Sequence, residues 1–101
     1  MMKTTFREEN GDYVMYFDGR LDTASTMQVE KDMEPLNDCS DHDIILDCTR
    51  LEYICSSGLR IFLGILKNAK LKNSRVFIRG LNSKLKSVFD MTGFTKLFMM
   101  K

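Results

Sequence analysis

The strongest constraint on the fold comes from a short apolar run, Ile44-Ile45-Leu46, that ends at Asp47. A run without polar positions is typical of a central strand in a covered sheet. A loop follows and ends in Ser56-Ser57-Gly58, where a long segment with an apolar face begins. A strand that leads through a loop into a helix is the repeating unit of α/β proteins.

The segment after the loop has the spacing of an amphipathic helix, which we expect to run from Ser56 or Ser57 to about Asn73. We expect Leu63 and Leu66 to face the sheet. A hydroxyl at the start of a helix can cap free backbone N–H groups. It can also accept a phosphoryl group, because the positive end of the helix dipole tolerates negative charge. The residues alone leave both roles open. The complete apolar face consists of Leu59, Phe62, Leu63, Leu66 and Ala69.

The N-terminal part of the chain predicts a hairpin. Strands are expected at residues 4–8 and 13–17, joined by a turn at Asn10-Gly11-Asp12. Because residues 13–17 are apolar throughout, we expect the second strand to be covered on both faces. The polar segment 18–22 is expected to end this strand.

Three further elements complete the predicted fold. A helix capped by Asp22 or Thr23 should reach about residue 37 and end or kink before Pro35, with a buried face of Val29, Met33 and Leu36. A strand at 75–79 and a helix capped by Asn82 or Ser83 should follow, with a short strand or packed tail at the end. The pattern predicts one small α/β domain over residues 1–101, with a mostly parallel mixed sheet, an N-terminal hairpin and helices packed on it.

Composition argues against several classes of protein. The net charge is +1 and the basic residues are scattered, so we expect no direct nucleic-acid binding. No apolar run approaches the ~20 residues of a membrane span, and the start lacks a secretory signal, so membrane insertion is not expected. Three cysteines without metal or redox spacing predict free thiols in a reducing cytoplasm, and no cofactor is expected.

Enzymatic interpretations are weak. Asp18, Asp22 and Asp47 each follow a predicted strand and could meet at one sheet edge as metal ligands, although such aspartates more often cap the next element. Ser56 as a nucleophile would need a base, and the only histidine, His42, lies about 15 Å away at the other end of its strand. We therefore expect a protein that is not an enzyme and has no catalytic or metal-binding residues.

Three segments, taken in order, resemble the STAS domains of anti-sigma factor antagonists. Gly19-Arg20-Leu21-Asp22 is similar to the family's G-x-L-D. The stretch from Leu46-Asp47 to Ser56-Ser57-Gly58-Leu59 is similar to its L-D-x-x-x-x-x-x-x-D-S-S-G-L, with Cys55 in place of the second aspartate. The segment from Leu85 to Phe94 is similar to the closing V-x-x-x-F-x-x-(S/T)-G-L, and the resemblance spans essentially the whole chain.

The resemblance implies a phosphorylation-controlled switch with Ser56 as the phosphoacceptor. Its partner would be an anti-sigma factor with a histidine-kinase-like ATPase fold, which the chain sequesters so that a sigma factor is released. The same partner would phosphorylate Ser56, and a metal-dependent serine/threonine phosphatase would reset the switch. The implied partner-binding residues are Asp22, Cys55, Ser57, Gly58, Leu59 and Arg60.

A second role is also compatible with the resemblance. STAS domains occur as small accessory subunits of ABC-type lipid transport systems, docked on the ATPase. That role does not require phosphorylation, and Cys55 in place of the aspartate is compatible with it.

Overall fold

In the computed structural model, which describes residues 2–101, helices pack against a five-stranded sheet. The strands are β1 (Met2–Glu9), β2 (Asp12–Leu21), β3 (Ile44–Ile54), β4 (Val76–Arg79) and β5 (Met99–Met100). The helices are α1 (Thr26–Asp32), α2 (Ser56–Leu71), α3 (Ser83–Thr92) and α4 (Phe94–Leu97), with a 3-10 turn at Glu34–Asn37. Strand β1 is antiparallel to β2, whereas β2 to β5 are parallel and lie in chain order. The predicted α/β class, hairpin and mostly parallel sheet are confirmed.

The hairpin between β1 and β2 is closed by a two-residue turn. Asn10 and Gly11 have φ angles of 53° and 84°. Positive φ at both positions is the signature of a type I′ turn, whose twist matches that of the flanking strands. The turn predicted at Asn10-Gly11-Asp12 is confirmed.

The parallel strands are added in one direction across the sheet, and this decides where the helices lie. Right-handed crossovers between such strands place the connecting helices on the same face. One core joins that face to the helices: the Phe17 and Phe62 rings lie 5.2 Å apart, and Phe62 and Phe89 lie 6.4 Å apart. We call this side of the sheet the helix face and the other side the open face.

Polar side chains line the open face. Asp47 on β3 accepts a hydrogen bond from Arg79 Nε at 2.8 Å, and Tyr16 lies beside them on β2. Burial acts to raise the pKa of Asp47, but hydrogen bonds from Thr49 and Arg79 outweigh it and hold the pKa below its usual value. The prediction that residues 13–17 are covered on both faces is confirmed only in part. Val14 is fully buried on this side, but Tyr16 is half-buried, and among residues 2–101 no helix packs on the open face.

Strands β2 and β3 are both longer than predicted. Residues 18–22 do not end β2, which continues to Leu21, and the loop expected after Asp47 is the second half of β3. The pairing of β2 with β3 shifts twice, after Tyr16 and after Gly19. Such bulges add a residue to one strand without ending it. The side chains of Asp18, Asp22 and Asp47 therefore do not meet at one edge of the sheet, since Asp18 and Asp47 lie within strands.

The first helix begins later than predicted. Neither Asp22 nor Thr23 is its N-cap, because α1 starts at Thr26. The 3-10 turn that follows begins at Glu34, so the predicted end before Pro35 is confirmed. The predicted buried residues of this region are confirmed as Val29, Met33 and Leu36.

Helix α2 uses a slightly different face from the predicted one. Leu66 is buried against the sheet as predicted, but Leu63 is only half-buried and Ile65 lies in the core.

In α3 the predicted cap is confirmed, because Asn82 Oδ1 accepts a hydrogen bond from Leu85 N–H at 2.9 Å. The tail forms both α4 and the short β5. No helix within residues 2–101 combines the length and apolar character needed to cross a bilayer.

Candidate functional site at the start of α2

The ends of β2 and β3 position the start of α2 at one edge of the sheet. Leu21 pairs with Ile54 at the last register position of the two strands, and Cys55 N–H donates to Leu21 O at 2.9 Å. The chain then leaves β2 through Asp22 and enters α2 at Ser56. Because β2 and β3 are parallel, Asp22 and Ser56, which follow their carboxyl ends, lie at the same edge of the sheet.

Gly58 allows the first turn of α2 to approach these strand ends closely. A Cβ atom on Gly58 would lie 2.8 Å from Leu21 Cγ and 2.9 Å from Ile54 Cγ1. Real Cβ atoms do not approach other carbons so closely, so any side chain here would push the helix away from the sheet. Gly58 thus sets the distance between the first turn of α2, which includes Ser56, and the ends of β2 and β3.

Ser56 is the first residue of α2, and its side chain is exposed. The first intrahelical bond runs from Leu59 N–H to Cys55 O at 3.0 Å. The N–H groups of Ser56, Ser57 and Gly58 precede that bond and therefore have no helical acceptor. An anionic group on Ser56 would meet these donors and the positive end of a 16-residue helix.

Cys55 occupies the N-cap position but does not act as a polar cap. Its backbone is extended, with φ −89° and ψ 173°, as an N-cap requires. Within the described residues its side chain makes no capping hydrogen bond, and the thiol is half-buried. An aspartate there would supply the carboxylate that accepts from the next N–H groups.

A shallow groove of about 220 Å³ separates the first turns of α1 and α2. Ser57 and Arg60 form its α2 side, and Met27 lies on its α1 side with 83% of its surface exposed. Arg60 is exposed and follows Ser56 by four residues, so both lie on the same face of the helix. The remaining lining residues are Thr26, Glu30 and Ile61.

Asp22 has a local structural role in the loop before α1. Its Oδ1 accepts hydrogen bonds from Ser25 N–H and Ser25 Oγ, each at 3.1 Å. These hydrogen bonds favour the charged form and lower the pKa of Asp22. The carboxylate therefore orders the loop that leads into α1.

The remaining predicted site residues divide by burial. Leu59, one of the implied partner-binding residues, is only 8% exposed, and its side chain belongs to the core. Gly58 is also buried, and it acts by allowing the close approach described above. Met27, which lines the groove, was not among the site residues predicted from the sequence. Its position off the buried α1 face formed by Val29 and Met33 is the signal that could have identified it.

The single histidine of the sequence lies far from the start of α2. His42 is placed before β3, so the whole strand separates it from Ser56. Its ring stacks on Tyr13 at 4.1 Å, and its Nδ1 lies 2.8 Å from Gly11 O. Among residues 2–101, no cluster of three or more His, Cys, Asp or Glu side chains has the arrangement of a metal site.

Comparison with known proteins defines the family. The STAS domain profile matches residues 3–101, and the chain belongs to the STAS domain family. The Bordetella bronchiseptica protein BtrV is 28% identical over 97 residues, which cover 96% of this chain and 84% of BtrV. The anti-sigma-B factor antagonist of Staphylococcus epidermidis is 27% identical over 85 residues, covering 84% of this chain and 79% of that protein.

A solved structure has the same fold. The Bacillus cell fate determinant SpoIIAA in its phosphorylated form superposes with a TM-score of 0.72 at 19% identity. The match covers 100% of this chain and 91% of SpoIIAA.

Two glycines of α2 provide a matched test of the close approach. Gly58→Ala should destabilise the domain by about 1–3 kcal/mol, because the added methyl collides with Leu21 and Ile54. Gly64→Ala should stabilise it by about 0.5–1 kcal/mol, since Gly64 has open space around its Cα and alanine favours helix. Urea unfolding of both variants measures these effects. Equal shifts would show that α2 does not approach the strands as described.

The N-cap of α2 can be improved. Cys55→Asp should raise the free energy of unfolding by about 1 kcal/mol, through hydrogen bonds to the first N–H groups and attraction to the helix dipole. Cys55→Asn should retain most of the gain, because it caps without a charge, whereas Cys55→Ala should not. Thermal unfolding by circular dichroism at neutral pH compares the three variants. No gain in either polar variant would contradict the N-cap assignment.

Proposed function

We propose that this chain is an anti-sigma factor antagonist whose binding to an anti-sigma factor is switched by phosphorylation of Ser56. Family membership and the name of the S. epidermidis relative support the binding role. The existence of a phosphorylated SpoIIAA supports the switch. The observation that carries the proposal is the exposed Ser56 hydroxyl at the start of α2, beside the groove between α1 and α2.

The start of α2 suits a phosphate physically. A phosphoserine carries about −1.5 to −2 charges and three acceptor oxygens. The N–H groups of the first turn and the helix dipole would stabilise that charge, so modification would leave the fold intact. The Arg60 guanidinium, four residues after Ser56, could donate to the phosphate as well.

The groove and its rim are the proposed contact with the anti-sigma factor. Met27 offers an exposed apolar anchor, and Arg60 offers a cation on the opposite side. A phosphate on Ser56 would place negative charge beside both groups and engage Arg60. The partner would then lose its contact with Arg60, and binding would require the phosphate to be desolvated. The phosphate would also repel acidic side chains of the partner, so the complex would separate.

The remaining parts of the switch follow from the resemblance. The anti-sigma factor, with its histidine-kinase-like ATPase fold, would be both the bound partner and the kinase. A metal-dependent serine/threonine phosphatase would remove the phosphate. Residues 1–101 would act in the cytoplasm as one STAS domain with a binding role and no catalysis of its own.

The phosphoacceptor can be identified directly. We expect the cognate kinase and ATP to modify Ser56, because its hydroxyl is exposed whereas Ser57 is half-buried on the groove wall. Mass spectrometry should find phosphate on Ser56 in the wild type and in Ser57→Ala, and none in Ser56→Ala. Phosphate on Ser57, or uptake that persists in Ser56→Ala, would refute the assignment.

Charge at Ser56 should control partner binding. Ser56→Asp should weaken binding to the anti-sigma factor at least tenfold, about 1.4 kcal/mol, with little change in melting temperature. Ser56→Ala should bind at least as well as wild type. Ser87→Asp adds the same charge at an exposed position on α3 and should bind normally. Isothermal titration calorimetry compares the four proteins. Equal binding by all of them would exclude the switch and favour the accessory-subunit role.

A further inference from the structure

Strand β1 forms the longer open edge of the sheet. Within residues 2–101 it has a neighbouring strand on one side only, and it is eight residues long, whereas β5 at the opposite edge has two. An edge strand presents backbone N–H and C=O groups that can pair with another strand. The long edge is therefore the place where another chain could extend the sheet.

The hydrogen bonds of β2 show which β1 residues direct their backbone outward. Tyr13 N–H donates to Asp43 O at 2.8 Å, so the Tyr13 backbone faces the β3 side. In an antiparallel pair, hydrogen-bonded and non-hydrogen-bonded positions alternate. Glu8, which lies opposite Tyr13, therefore points its N–H and C=O away from β2. Phe6 and Thr4 follow at steps of two and do the same.

We propose that a second copy of this chain pairs with β1 through its own β1, in an antiparallel arrangement with Phe6 on the two-fold axis. Phe6 would exchange both N–H···O bonds with the partner's Phe6, and Thr4 would exchange them with the partner's Glu8. These are the residues whose backbone groups point outward. The two sheets would become one continuous sheet of ten strands in a symmetric dimer.

The charge pattern of β1 selects this register. With Phe6 on the axis, Lys3 lies opposite the partner's Glu9, and symmetry repeats this ion pair. A shift of two residues in one direction puts Lys3 opposite the partner's Arg7, and a shift in the other direction puts Arg7 opposite its own copy. Like charges directly opposite each other are destabilising. A shift of one residue is excluded, because it would place open-face side chains opposite helix-face ones.

The side chain of Phe6 supports a contact at the axis. It is 39% exposed, and its ring meets Tyr13 edge-on with the centroids 5.2 Å apart. In the dimer it would lie directly opposite the partner's Phe6, and aromatic cross-strand pairs stabilise sheets. Because the two β1 strands run in opposite directions, the two Ser56 sites would lie at opposite ends of the joined sheet. Both would remain accessible.

Sedimentation equilibrium of the whole chain tests the dimer. Wild type should be dimeric at about 100 μM. Phe6→Pro should be monomeric with unchanged circular dichroism, because it removes an outward N–H and no bond to β2. Lys3→Glu should raise the dissociation constant about tenfold or more, and combining it with Glu9→Lys should restore dimerisation. Lys84→Glu, the same charge change on α3, should have no effect.

The outcomes that overturn the proposal are distinct. A wild-type chain that is monomeric up to about 1 mM would refute it. A dimer that survives Phe6→Pro, or a charge exchange that does not restore dimerisation, would place the contact elsewhere.

A cross-link tests the register independently. Opposed hydrogen-bonded residues have Cα atoms about 5.5 Å apart, which a disulfide can span. Phe6→Cys in a Cys55→Ser background should therefore form a covalent dimer on oxidation. Glu8→Cys in the same background should not, because two such residues would be about 13 Å apart along the strands. Efficient cross-linking of Glu8→Cys alone would contradict the register.

Discussion

The close approach of α2 to the ends of β2 and β3 is the constraint on which the candidate site depends. Gly58 leaves room for Leu21 and Ile54, and the hydrogen bond from Cys55 N–H to Leu21 O ties the loop to β2. Together they set both the distance and the direction of the helix. Gly58, two residues after Ser56 in the same turn, faces inward against the strand ends, and Ser56 is left exposed at the start of the helix. The site is therefore a result of backbone packing more than of polar contacts.

The two faces of the sheet have different physical roles. The helix face supplies the apolar burial that stabilises the domain. The open face carries polar groups that satisfy one another, such as Asp47 with Arg79, and long side chains that cover apolar positions. Arg75 and Lys101 lie over the Phe77 ring, with their charged ends 5.4 and 4.4 Å from its centre. Amphipathic side chains can thus take the place of a second helical layer.

The element order, the hairpin turn and the cap at Asn82 were predictable because each depends on short-range chemistry. The ends of β2 and β3 were not predictable. In β3 the buried apolar residues after Leu46 are Cys48, Leu51 and Ile54. Two bulges produce this spacing of three, so the sequence does not show the alternation that is typical of a strand. The adjacency of Asp22 and Ser56 was predictable from parallel pairing. The contribution of Met27 to the groove depends on how α1 docks beside α2, which local spacing does not encode.

The strands lie in the sheet in the same order as in the chain, and this order affects how the domain folds. Each strand from β2 onward lies beside the strand that precedes it in the chain. Closing each connection therefore involves only the residues of one crossover, which limits the entropy lost per step. The hairpin can form first, and later strands can add to an existing edge as the ribosome releases them. A parallel sheet, usually a slow topology because of distant pairings, is here built from consecutive local additions.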